Sequence, residues 1–288
     1  MTTTTTPPHP PIPTLTFYDI QMRPPLAETA CSPNPTKSRL ALNFKAVPYK
    51  TQWVALPSIA DLRQSLHIPA GRKFADGSDF YTLPILHDPA TDTFVGDSLD
   101  IAIYLDRTYP SEGAALFPST PPRLDFEYDD KFGILVPLSN ASEVAKGERY
   151  LAYAEFNRHV DAAFTMHTML CVERMPFHPD TEKISKAEFC RRAGKKSWEE
   201  FATTSEMRKG LLASLQGTLG DLAKLFGRDT DGPFIMGARV CYADFIVGGW
   251  LRMLRVCLPA DEWEEIRGWH GGVFGTLYEA LEMYLTIE

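Results

Sequence analysis

Strand-forming segments crowd into the first third of this 288-residue chain and then all but stop. Leu15–Ile20 is a short, apolar, β-favouring run. After a loop containing Pro24 and Pro25, Asn34–Lys45 reads as a helix with Leu40, Ala41 and Phe44 grouped on it. Tyr49–Leu56 is again strand-like and Ser58–His67 again helical. Leu83–His87 and Thr93–Val95 follow as a hairpin, joined by Asp88-Pro89-Ala90-Thr91-Asp92, whose Asp and Pro residues favour a turn. Ser98–Tyr109 is a helix opened by Asp97-Ser98 and stopped by Pro110. The order β-α-β-α-β-β-α describes a small α/β domain with a mixed sheet, two βα units followed by a hairpin and a closing helix.

From Ser111 to Arg123 the chain is rich in Pro, Ser and Gly and suits a linker. Beyond it, Leu124–Leu138, Glu143–Met175, Lys186–Phe226, Ala243–Cys257, Asp261–Gly268 and Val273–Tyr284 read as helices separated by Pro and Gly breaks. The sequence therefore predicts an α/β domain over 15–110 and an all-α domain over 124–288. The Thr/Pro stretch Met1–Thr14 reads as a disordered tail, lacking the basic start and apolar centre of a secretory signal.

Composition narrows the partners. A net charge of −8 and the absence of any Lys/Arg block argue against nucleic acid. No stretch approaches the roughly 18 consecutive apolar residues of a membrane span, so no membrane partner is expected. Five scattered cysteines (Cys31, Cys171, Cys190, Cys241, Cys257) without a Cys-x-x-Cys fit free thiols in a reducing compartment, and the cytoplasm is the expected location. His167 and Cys171 stand four apart on an expected helix, but no second pair completes a ligand set, so no metal is implied. Phosphate-cradling Gly-rich motifs are missing as well.

Three local patterns carry more information. Cys31-Ser32-Pro33-Asn34-Pro35 lies between the first strand and the first long helix, Tyr81-Thr82-Leu83-Pro84-Ile85 enters the third strand of the βαβαββα order, and Asp97-Ser98 opens the closing helix. In this order they resemble the glutathione transferase superfamily across the whole ordered chain. A fourth segment, Gly232-Pro233-Phe234-Ile235-Met236-Gly237 before Tyr242-Ala243-Asp244-Phe245, is similar to that family's folding signature, with Cys241 where a Ser or Thr cap is usual. A thiol is a poor acceptor, so about 1 kcal/mol of cap energy is expected to be missing there. Phe17-Tyr18-Asp19-Ile20, Ser32-Pro33-Asn34, Asn43-Phe44-Lys45 and Asp261-Glu262-Trp263 resemble the fungal FuA class, which is related to bacterial etherases.

The resemblance implies a thioredoxin-like N-terminal domain with a mixed four-stranded sheet, followed by an all-helical domain. It implies glutathione as co-substrate, hydrophobic or aromatic second substrates with ether cleavage as one option, a detoxifying role and a homodimer. Its catalytic residue directly precedes the Pro, which selects Ser32. Ser32 would be the N-cap with Pro33 at the first helical position, where the helix terminus favours negative charge and the hydroxyl can donate to sulfur. A thiol titrates near 8.5 and only the thiolate is a strong nucleophile, so lowering that pKa is the enzyme's main task. Ser32 as a plain structural cap is the bland alternative. Cys31 acting in thiol exchange is another. By the same resemblance Leu83 and Pro84, joined by a cis bond, would pair with the cysteinyl unit. Asp97 and Ser98 would hold the γ-glutamyl end, and Lys73, in Gly71-Arg72-Lys73, the glycyl carboxylate. Phe126, Phe132, Tyr150, Tyr153 and Phe156 are aromatic candidates for the second-substrate wall. A non-catalytic protein that sequesters apolar aromatic compounds is the rival reading.

Overall fold

The computed structural model describes residues 14–110, 115–128 and 136–287. Four strands form a mixed sheet in the order β2-β1-β5-β6. Strand β1 (Leu15–Ile20) lies parallel to β2 (Tyr49–Val54), with Phe17 opposite Thr51, and antiparallel to β5 (Ile85–Asp88), with Phe17 opposite Leu86. Strand β6 (Thr93–Val95) closes the expected hairpin. Two features were not expected: a one-turn helix α1 (Leu26–Thr29), and a separate ribbon of β3 (Arg72–Lys73) and β4 (Asp79–Phe80).

Burial along β1 alternates, with Leu15, Phe17 and Asp19 inside, as a strand covered on one face requires. Helices α2 (Pro33–Phe44) and α4 (Ser98–Thr108) bury Leu40, Ala41, Ile101, Ala102 and Leu105 with Leu15 and Phe17 in the main core. Helix α3 (Ile59–Ser65) sits in a second cluster with Val54, Leu83 and Ile85, and that cluster includes Phe177 from the other half of the chain.

The second half is helical: α5 (Glu148–Thr165), α6 (Met169–Val172), α7 (Glu182–Arg192), α8 (Ser205–Phe226), α9 (Tyr242–Cys257) and α10 (Ala260–Leu281). The expected break before Val273 is present inside α10, where His270, Gly271 and Gly272 all take positive φ. Buried on nearly every side, α9 is the centre of this half. It meets α2 so closely that a Cβ at Gly249 would overlap the Pro33 carbonyl. That approach sets the first turn of α2, and with it Ser32, against the helical half.

Two expected helices are corrected: the segment Lys186–Phe226 is divided into α7 and α8, with a 3-10 turn at Trp198–Phe201 between them, and the segment Leu124–Leu138 is not a helix where it is described. Leu124–Tyr128 and Val136–Leu138 are not helical, and 129–135 lie outside the described residues. Leu124, Phe126 and Tyr128 alternate inward with exposed Arg123, Asp125 and Glu127, so the segment is an extended strap with period 2. The tail expected over Met1–Thr14 lies almost wholly outside the described residues, as does part of the linker expected over Ser111–Arg123.

Candidate active site

A cleft of about 1090 Å³, counting the part open to solvent, lies between the α/β half and the helices. Its α/β wall includes Ile20, Met22, Ser32, Asn34, Leu56, Ile59, Arg72 and Leu83. Its helical wall includes Asp161, Thr165, Met175, Phe177, Phe189, Arg192, Trp250 and Met253.

Ser32 is the N-cap of α2, in extended backbone at φ −62° and ψ 124°, and its side chain makes no cap hydrogen bond. The hydroxyl faces the cleft without being committed to the helix, which weighs against a purely structural cap. Pro33 and Pro35 carry no N–H, so of the first three helical positions only Asn34 offers a backbone donor. The hydroxyl is accordingly the more versatile donor at this helix end. The neighbouring Cys31 also borders the cleft but is only 2% exposed, packed in the core with its Sγ 3.8 Å from that of Cys257. The Cys257 thiol and burial together push the Cys31 thiol well above its ordinary range. A thiol so held is protonated at neutral pH and a poor nucleophile.

The Leu83–Pro84 bond is cis and Leu83 lines the cleft. Asp97 is the N-cap of α4 and accepts from the Leu99 N–H at 2.9 Å, while Ser98 behind it is 2% exposed. Neither is among the residues that line the cleft, although the Asp97 charge is felt at Lys37, Arg63 and Arg72.

Lys73 is not part of the cleft: its ammonium pairs with Asp79 in solvent, and its side chain is 59% exposed. Successive strand residues point to opposite faces, and it is Arg72 that turns inward. The Arg72 guanidinium donates to Ser139 Oγ at 2.9 Å and to the Pro137 carbonyl at 3.0 Å. Burial lowers its pKa, opposed by the charges of Asp161 and Asp97. The aromatic candidates are also corrected. Phe126, Tyr150, Tyr153 and Phe156 are core residues, with Phe117 edge-on to both tyrosines, and Phe132 lies outside the described residues. The aromatic lining is instead Phe80 from the α/β half and Phe177, Phe189 and Trp250 from the helical half.

This sheet, cis-proline strand entry and serine-capped helix, backed by a helical half, define a class. Residues 31–108 match the glutathione S-transferase N-terminal domain family and residues 155–284 its C-terminal domain family. The chain belongs to the glutathione S-transferase family. Within it the likeness is to fungal FuA-type proteins. A glutathione S-transferase of Ceriporiopsis subvermispora, solved in complex with glutathione, is 29% identical with a TM-score of 0.76, the match covering 96% of this chain and 99% of that one. Transferase GSTFuA3 of Phanerochaete chrysosporium is 25% identical with a TM-score of 0.72, over 96% and 100%. The glutathione S-transferase-like protein ustS of Aspergillus flavus is 29% identical over 283 residues, 94% of this chain and 91% of ustS.

Proposed function

We propose that this protein transfers glutathione to apolar, aromatic electrophiles, and that the Ser32 hydroxyl donates a hydrogen bond to the glutathione sulfur. The observation that carries this reading is the Ser32 side chain, uncommitted at the start of α2 and open to the cleft, beside a Cys31 thiol turned into the core. One charge-stabilising hydrogen bond at a helix N-terminus can lower a thiol pKa by one to two units, each unit being about 1.4 kcal/mol.

In this reading residues 15–110 bind the tripeptide. Leu83 and Pro84 pair with its cysteinyl unit, and Asp97 and Ser98 hold the γ-glutamyl end. Arg72, in place of Lys73, offsets the glycyl carboxylate. Residues 124–288 present the second substrate on Met175, Phe177, Phe189 and Met253. The thiolate attacks the electrophilic carbon; with an aryl ether the C–O bond breaks and the aryloxide departs, whereas an aromatic isothiocyanate takes the thiolate by addition at its central carbon, the nitrogen gaining a proton and nothing departing. Proximity of the two bound reactants supplies much of the acceleration. Bound glutathione in the Ceriporiopsis relative supports the co-substrate. A cytoplasmic homodimer follows from the family resemblance, and gel filtration of the full chain tests the dimer.

Steady-state kinetics with an aromatic isothiocyanate test the assignment. Ser32→Ala is expected to lower kcat/KM about 100-fold while the KM for glutathione stays within about twofold, as for loss of a transition-state donor. Cys31→Ala should leave the rate near wild type. Activity that survives Ser32→Ala and is lost with Cys31→Ala would transfer the role to the thiol.

A further inference from the structure

Arg63 is a charged side chain buried to 2% exposure on α3, and no carboxylate among the described residues forms an ion pair with it. Its guanidinium is held by backbone carbonyls alone. Nη1 donates to the Thr82 carbonyl at 2.6 Å and the Gly96 carbonyl at 3.0 Å, and Nη2 to the Pro69 carbonyl at 2.7 Å. Thr82 immediately precedes Leu83–Pro84, and Gly96 immediately precedes Asp97-Ser98. One fork of donors thus ties together the two segments assigned to glutathione. Gly96 fits that arrangement, because a Cβ there would overlap Nη2 of Arg63.

We infer that Arg63 is a positioning residue for glutathione, fixing the Leu83 and Asp97 segments relative to one another and placing a positive charge behind them. The inference rests on the transferase reading above and deepens it. Burying a guanidinium without a hydrogen-bonded carboxylate is expensive, and a hydrophobic residue of similar size would pack there at lower cost unless the carbonyl geometry mattered. Burial lowers the Arg63 pKa to about 10, so the side chain remains charged at neutral pH. Glutathione carries two carboxylates, so a fixed cation behind its binding segments favours it electrostatically.

The test is calorimetric binding of glutathione to the full chain and to Arg63→Met and Arg63→Lys, with anilinonaphthalene sulfonate as a second ligand for the apolar wall. Arg63→Met is expected to weaken glutathione about 30-fold. Arg63→Lys, which keeps the charge but has one nitrogen for three carbonyls, should weaken it about fivefold. Fluorophore affinity and the thiol pKa of bound glutathione should not move. Arg63→Lys keeps the test open if Arg63→Met does not fold. Folded variants that bind glutathione as tightly as wild type, or that lose glutathione and fluorophore in parallel, overturn this inference alone. Wild-type protein that does not bind glutathione overturns the transferase reading and this inference with it.

Discussion

Lys37 and Asp161 form an ion pair at 2.5 Å with side chains only 0% and 5% exposed, and it pins the helix that begins at Ser32 to α5 of the helical half. The ammonium also donates to Asn34 Oδ1 at 2.9 Å and Asn157 Oδ1 at 2.8 Å, so all three of its N–H groups are used. Trp250 Nε1 donates to the same Asp161 oxygen at 2.6 Å. Removing either charge leaves the other buried and uncompensated. Lys37→Met is therefore expected to lower the unfolding free energy by about 3–5 kcal/mol, and a second change, Asp161→Leu, to restore much of it. Denaturant melts of the three proteins decide this; a loss below about 1 kcal/mol for Lys37→Met would mean that water reaches the pair.

The start of α9 is the second stability site. Asp244 is fully buried and accepts from the backbone N–H groups of Ile235 and Cys241, both at 2.8 Å, while the Cys241 sulfur faces the Asp244 N–H in a capping-box arrangement. Asp244→Ala leaves two buried donors unpaired and should cost about 2–5 kcal/mol. The buried Tyr153 hydroxyl lies beside the Cys241 sulfur and has no strong acceptor among the described residues. Cys241→Ser supplies an oxygen to both the helix N–H and this hydroxyl, and is expected to stabilise by about 1 kcal/mol. Thermal midpoints of both variants check the two signs; destabilisation by Cys241→Ser would show that the sulfur's packing outweighs its weak acceptance.

Asp100 gives a pH signature. Burial raises its pKa from 3.8 to about 6, although Ser142 donates to it at 2.6 Å. Between those values the folded chain binds more protons at this site than the unfolded chain, so its contribution to stability falls as pH rises from 4 to 6. Asp244, also raised to about 6, works in the same window, so the comparison must be differential. Asn keeps an acceptor for Ser142 without the buried charge. Relative to wild type, Asp100→Asn should gain about 1 kcal/mol between pH 4 and pH 7, allowing for partial exposure. Parallel stability curves for the two proteins across that range would contradict the shift.

The cysteines should behave as a buried set. All five are free and buried, and neighbouring thiols or burial raise Cys31, Cys241 and Cys257 well above the ordinary thiol range. A disulfide-exchange reagent at pH 7.5 is expected to titrate almost none of them in the folded chain and all five in denaturant. Fast labelling of Cys31 in the native state would contradict its inward orientation and revive thiol exchange as the chemistry.

Legibility in the sequence followed the range of the interactions. The strands of the main sheet and the Ser32 cap could be read because period-2 burial, Pro at the first helical position and Asp/Pro turns act within a few residues. Lys73 faces solvent and its neighbour Arg72 faces the cleft. A two-residue strand has no periodicity to set its phase, and Arg72 is turned inward by acceptors at Pro137 and Ser139, far along the chain. The strap at Leu124–Tyr128 did carry its signal, an alternation short enough to be masked by its helix-compatible composition. Phe177 was hidden differently: it lies in the break between the expected helices Glu143–Met175 and Lys186–Phe226, and only the fold brings it beside Met22, with which it forms a β-bridge. Arg63 had no local signature, since its three acceptors are carbonyls of other segments.

The central claim is that Ser32 stabilises the thiolate of bound glutathione. Ultraviolet thiolate absorbance of the glutathione complex, followed against pH in wild type and in Ser32→Ala, measures it directly. The bound thiol is expected to titrate one to two units below its free value near 8.5 in wild type and to return toward that value in Ser32→Ala. Glutathione that binds with an unshifted thiol in both proteins would contradict it, leaving a transferase fold that sequesters ligands without activating sulfur.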